Sequence, residues 1–199
     1  TTFNSNNTNT RTLNLGTGTL TLGTSSSTPW NIDGTNLTAS FSNSTMVVPS
    51  TLDVTWSGAG KSYGTVAFSF TAFGSINRVT TITGANTFVN LSSAHNGGTS
   101  NAPIYSFPAG TTQTITGYFG MTGAAGSLAT IKSSTAGTRA TINLPNVGNS
   151  THDYINIQDM AFTGEGKQFA TNSTDSGNNA EIRMGVAMPA RQALLGCGI

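Results

Sequence analysis

The chain has 199 residues and a formal net charge of +1, and 8% of it is charged, against about 25% in ordinary globular domains. Thr, Gly, Ser and Asn make up half of it, which excludes a helical protein because these residues sit low on the helix scale. The 36% hydrophobic content, with ten Phe, equally excludes a chain too poor in apolar residues to fold, and an all-β protein remains.

Taken in chain order, apolar residues recur at every second position: Leu13 and Leu15, Leu20 and Leu22, Trp30 and Ile32, then Leu37, Ala39 and Phe41. The series continues with Leu52, Val54 and Trp56, with Val66, Phe68 and Phe70, and with Val89 and Leu91. Ile142 and Leu144, and Ile155 and Ile157, complete it. Period two with Thr or Ser between predicts strands with one buried face, and branched Thr suits the outer one. Gly-rich breaks at Gly16–Gly18, Asp33-Gly34, Gly58–Gly60, Asn96–Gly98, Gly123–Gly126 and Gly148-Asn149 predict turns.

No helical stripe precedes about residue 180, which excludes βαβ units. Two all-β architectures fit, a parallel β-helix (solenoid) and an antiparallel β-sandwich or jelly roll. The return of Thr81-Ile82-Thr83-Gly84 as Thr114-Ile115-Thr116-Gly117 favours the solenoid, with coils of about 20 residues. A sandwich calls for hairpin turns every 8–12 residues or so.

Composition changes near the end. Residues 1–180 form the β-rich body, and 181–199, without Thr, Ser or Asn, form an apolar tail. Met184, Met188, Leu194, Leu195 and Ile199 would be exposed if nothing covered them, so the tail is expected to cap the body or to dock on a partner subunit.

Motifs that suggest chemistry are weak. Gly58-Ala59-Gly60-Lys61-Ser62 ends like a phosphate-binding loop, but Thr55 stands where the pattern needs Gly, and an alternating strand follows instead of a helix. Gly164-Glu165-Gly166-Lys167 reads as a turn. His152, Asp153, Asp159 and Asp175, with Glu165 and Glu181, are the acid–base candidates for a polysaccharide-cleaving site. The spacing of Asp153 and Asp159 around Ile155 and Ile157 fits turn residues better than a catalytic pair. His95 and His152 lack metal-ligand spacing, and Asp175–Asn179 lacks the Glu of a calcium loop. Six Asn-X-Ser/Thr sites match the number that composition alone produces. Eight scattered Lys and Arg offer no basic stripe for nucleic acid. No h-region or long apolar run predicts a signal peptide or membrane span, and the single Cys197 is read as a small hydrophobe. The expectation is a non-enzyme with no catalytic residue, cofactor or metal.

Three runs carry a resemblance: Ile131–Thr138, Tyr154–Asp159 and Asn172–Asn179, with Thr12–Leu22, Ile82–Leu91 and Ala109–Gly117 of the same kind upstream. The chain resembles repeat-built, parallel β-helix-like proteins common in phage and environmental sequences, and departs from them after Asn179. The resemblance implies a particle or surface protein without assigned activity. From it follows the expectation of a bacteriophage virion structural protein on the particle surface. A capsid decoration or cement role is preferred, as a homotrimer contacting the major capsid protein, without nucleic acid or membrane partners. The alternative is a tail fibre or cell-surface adhesin segment binding carbohydrate, with Trp30, Tyr63 and Tyr118 stacking on sugar rings and Trp56 in the core.

Overall fold

The computed structural model describes residues 2–23, 25–70, 77–95, 102–146, 150–166 and 168–185. The first rung carries β1 (Phe3–Ser5), β2 (Arg11–Asn14) and β3 (Thr19–Thr21). Three rungs with longer second strands follow: β4 (Trp30–Ile32) and β5 (Leu37–Ser50), β6 (Val54–Ser57) and β7 (Ser62–Phe70), β8 (Arg78–Thr83) and β9 (Thr87–His95). The fifth and sixth have three strands each: β10 (Pro103–Phe107), β11 (Thr112–Ile115) and β12 (Phe119–Thr122), then β13 (Ala129–Ser133), β14 (Ala140–Leu144) and β15 (Ser150–Asp153). The seventh holds β16 (Ile155–Gln158), β17 (Met160–Gly164) and β18 (Gln168–Thr171), and the last β19 (Thr174–Asp175) and β20 (Arg183–Gly185).

Every pairing between these strands is parallel, and no helix occurs among the described residues. The first face stacks β1, β4, β6, β8, β10, β13, β16 and β19. The second continues from β2 through the starts of β5, β7 and β9 to β11, β14 and β17. The third runs from β3 through the ends of the same long strands to β12, β15, β18 and β20. The chain is a parallel β-solenoid, and the antiparallel sandwich is set aside.

Register corrects the expected coil length. Phe3 lies over Trp30, Trp30 over Trp56, Tyr105 over Ile131 and Ile131 over Ile157, so a rung takes about 26 residues, not 20. The extra length is needed to line three faces. The Thr-Ile-Thr-Gly echo is not the rung period, since Ile82 belongs to the first face over Trp56 and Ile115 to the second over Phe88. At about 4.8 Å per rung, the eight strands of the first face rise about 34 Å.

Alternation fills the interior. Phe3, Trp30, Trp56 and Ile82 stand in one inward column, and Phe41, Tyr63, Phe88 and Ile115 in another. Phe3 stacks on Trp30 at 4.6 Å, Phe41 on Tyr63 at 5.1 Å, and Trp56 meets Tyr63 edge-on at 4.6 Å. Toward the C-terminus Ile131, Ile142, Ile155, Ile157 and Met160 take over, all fully buried. Each such side chain contributes about 1.5–3 kcal/mol relative to exposure.

Two corners depart from strict alternation. Between Phe41 and Thr45 the register of β5 against β7 shifts, and Gly64 fits under the bulge. A Cβ on Gly64 would lie 2.3 Å from Ser44 O and 2.7 Å from Ser42 O, both backbone. In β9 the chain passes from the second face to the third, so Phe88 and Leu91 both point inward and Val89 is exposed, contrary to the Val89/Leu91 pair expected from spacing. Leu52 precedes β6 and is likewise exposed.

A buried amide bracket ties three rungs together at the corner between the first two faces. Asn86 Oδ1 accepts from Gly60 N (3.0 Å), while Asn86 Nδ2 donates to Thr83 O (2.9 Å), Gly84 O (3.2 Å) and Gln113 Oε1 (3.0 Å). Gln113 Oε1 also accepts from Asn86 N, and Gln113 Nε2 donates to Gly84 O. Both side chains are fully buried, so these bonds satisfy groups that would otherwise be costly to desolvate.

Candidate functional site

The corner residues singled out by sequence are bound into the fold. Lys61 N donates to Gly58 O and closes the turn, Gly60 N is taken by Asn86, and Lys61 Nζ donates to Leu37 O at 3.0 Å. The Gly58–Ser62 segment therefore leads into β7 with its Gly60 amide and its ammonium already engaged, unlike a phosphate cradle.

A shallow cleft of about 590 Å³ lies beside this corner, between Asp33, Thr35, Ser57 and Thr83. Hydrogen bonds from the Thr35 backbone and side chain, and beyond them the Arg11 and Lys61 charges, hold the Asp33 carboxyl below its ordinary range. Arg11 is spent on structure. Its Nε donates to Ser5 Oγ, its Nη1 to Asn9 O and Thr35 O, and its Nη2 to Ser5 O and Asp33 O. A guanidinium with every nitrogen committed clamps the first rung to the second.

The acidic candidates are each taken up within the fold, Asp153 at the end of β15, Asp159 between β16 and β17, and Asp175 at the end of β19. Asp153 Oδ1 accepts from Thr171 Oγ1 and Asn172 Nδ2, each at 2.8 Å. Asp159 is buried at a positive φ of 56° and accepts from Asn178 Nδ2, and Asp175 accepts from Gly177 N and Asn179 Nδ2. Glu165 and Glu181 are exposed. His152 is buried with Nδ1 accepting from Met121 N and its ring edge-on to Phe119, whereas His95, two rungs away, stacks on Phe70. Among the described residues no three His, Cys, Asp or Glu side chains come together to hold a metal ion.

Of the aromatic residues considered for sugar stacking, Trp30 and Tyr63 are corrected to core residues, with at most 1% exposure. Trp30 Nε1 donates to the Tyr63 hydroxyl (3.2 Å), which donates to Gly58 O (2.8 Å), so their polar atoms are satisfied internally and neither ring offers a face to a ligand. Trp56 is fully buried, as expected. Tyr118 differs: it is 39% exposed on the third face. Its hydroxyl bonds Thr151 Oγ1 on the next rung at 2.9 Å, and its amide donates to Asn90 Oδ1. A Cβ on Gly120 would lie 2.1 Å from the Tyr118 hydroxyl and 2.4–2.5 Å from its ring carbons. The ring therefore lies down along the strand, over backbone that only glycine leaves bare.

The apolar tail is described only to Gly185. The backbone of Met184 pairs with Ala170 in β20, so the third face extends into the segment read as tail. Met188, Leu194, Leu195 and Ile199 lie outside the described residues.

No family model, curated protein or solved structure matches this chain.

Sequence reasoning missed the Arg11 clamp, the Asn86–Gln113 bracket and the bed under Tyr118. Only the last left a readable signal: in Gly117-Tyr118-Phe119-Gly120, adjacent aromatics must take opposite faces of a strand, so one of them faces outward.

Proposed function

We propose that the chain is a non-enzymatic structural protein of a bacteriophage virion, displayed on the particle surface as a capsid decoration or cement protein. The observation that carries this reading is the outer surface. Thr19, Thr45 and Thr65 stand in one outward ladder, Thr55 over Thr81 in a second and Thr112 over Thr141 in a third, on a chain with 8% charge. Ladders of short neutral hydroxyls suit hydrogen-bonded, wet joints with neighbouring subunits, and salt does little to weaken such joints. The phage attribution rests on the sequence resemblance alone.

In this reading the protein is a homotrimer bound to the major capsid protein, and residues 186–199 are its contact arm. Truncation after Gly185 keeps β20 and should leave the β-sheet circular dichroism unchanged while abolishing particle binding. The decisive measurement is immunogold electron microscopy on purified particles encoding the chain. Label on the shell supports the reading, and particles without label overturn it. Label on the tail would instead support the second reading, a fibre or adhesin that binds carbohydrate, which the exposure of Tyr118 favours.

A further inference from the structure

We propose that Tyr118, laid over Gly120 on the third face, is a stacking platform for a pyranose ring of a neutral polysaccharide. This deepens the adhesin reading and rests on it. Tyr118 immediately precedes β12, and an outward side chain beside a sheet ordinarily stands off it. Here the absent side chain at Gly120 lets the ring lie along the strand, and the Thr151 hydroxyl holds its far end at 2.9 Å. The hydroxyl end of the ring thus covers the Gly120 backbone, in a side chain that keeps 39% of its surface exposed. The remaining large exposed hydrophobics among the described residues are aliphatic, Leu52 and Val89.

The chemistry of the surroundings selects the ligand. Register places Ser92 and Thr151 on either side of Gly120, so hydroxyls border the ring along the stack direction. The C–H face of a pyranose carries partial positive charge and matches the negative face of an aromatic ring, while its equatorial hydroxyls reach outward to hydrogen-bonding groups. Because the ring is held down before a ligand arrives, little side-chain freedom is lost on binding.

The test uses the full chain with cellohexaose, maltohexaose and laminarihexaose as probes, read by saturation-transfer NMR and titration, beside an array of neutral glycans. Wild type should take saturation transfer from at least one hexasaccharide. Tyr118→Phe should stay within about threefold in affinity, because stacking needs the ring, while Tyr118→Ala should lose about tenfold or more. Gly120→Ala should lose as much with unchanged circular dichroism, since the atoms nearest its Cβ belong to the movable end of Tyr118, which it lifts from the sheet. Wild type that binds nothing on the array and none of the three probes ends both the platform and the adhesin reading. Wild type that binds while Tyr118→Ala binds equally removes the platform and leaves the adhesin reading standing.

Discussion

The Asn86 side chain joins three rungs without touching solvent, and its replacement by alanine gives the sharpest test of how the stack is held. The substitution removes the bond from Gly60 N and the donations to Thr83 O, Gly84 O and Gln113 Oε1. Nδ2 has two hydrogens, so these four contacts amount to about three full bonds, and at about 1 kcal/mol each the loss is about 3 kcal/mol. Gln113 Oε1 keeps its bond from Asn86 N, which limits the number of orphaned groups. With an m-value of about 2 kcal/mol/M, the urea midpoint followed by far-ultraviolet circular dichroism should fall by about 1.5 M. Asn90→Ala is the control. Asn90 also bridges rungs, to Thr65 Oγ1 and Tyr118 N, but on the outer surface, where water replaces what is lost and the cost should stay below about 1 kcal/mol. Equal midpoints for Asn86→Ala and Asn90→Ala would refute the idea that burial of the amide bracket is what makes it matter.

Gly64→Ala should prevent native folding, read as loss of soluble protein or of the sheet spectrum, because its Cβ meets two backbone carbonyls that cannot move aside; Gly18→Ala, with nothing within 4 Å, should be close to neutral. Burial pushes the Tyr105 phenol up to about 12, the nearby Ser93 hydroxyl offsetting part of this, and burial likewise raises Tyr63 against the opposing bond from Trp30. Both folded-state values lie above that of an unfolded chain, which releases these protons first. The stabilisation is therefore complete below about pH 10 and is lost as pH rises toward about 12 and beyond. Ultraviolet titration should show phenolate from Tyr63 and Tyr105 appearing together with loss of the sheet spectrum, and their ionisation in a chain that stays folded at pH 10 would contradict the burial assigned to them.

Composition and period two were sufficient for the class of fold. A chain half made of Thr, Gly, Ser and Asn has few helix formers, and Trp30/Ile32, Phe68/Phe70 and Ile155/Ile157 point inward as their spacing requires, because a strand's side chains alternate whatever the strand pairs with. The turn reading of Asp159 held, since it lies between β16 and β17, whereas Asp153 ends strand β15. The rung length did not, since it depends on how many faces the chain lines before returning, and the echo at Ile82 and Ile115 joined two different faces. Val89 escaped the pattern because a strand that turns a corner resets its parity there.

The candidate surface belongs still more to the tertiary structure. Trp30, Tyr63 and Tyr118 look equivalent as aromatic residues among small polar ones. What separates them is the register that places Trp30 and Tyr63 in inward columns and the absent side chain at Gly120 that gives Tyr118 a place to lie. Local alternation is written into each segment by backbone geometry, so sequence alone determined that this protein is built of strands with one apolar side. Which residues meet across rungs is decided by contacts about 26 positions apart, so only the folded stack could decide which polar groups are consumed inside it and which ring remains on its surface.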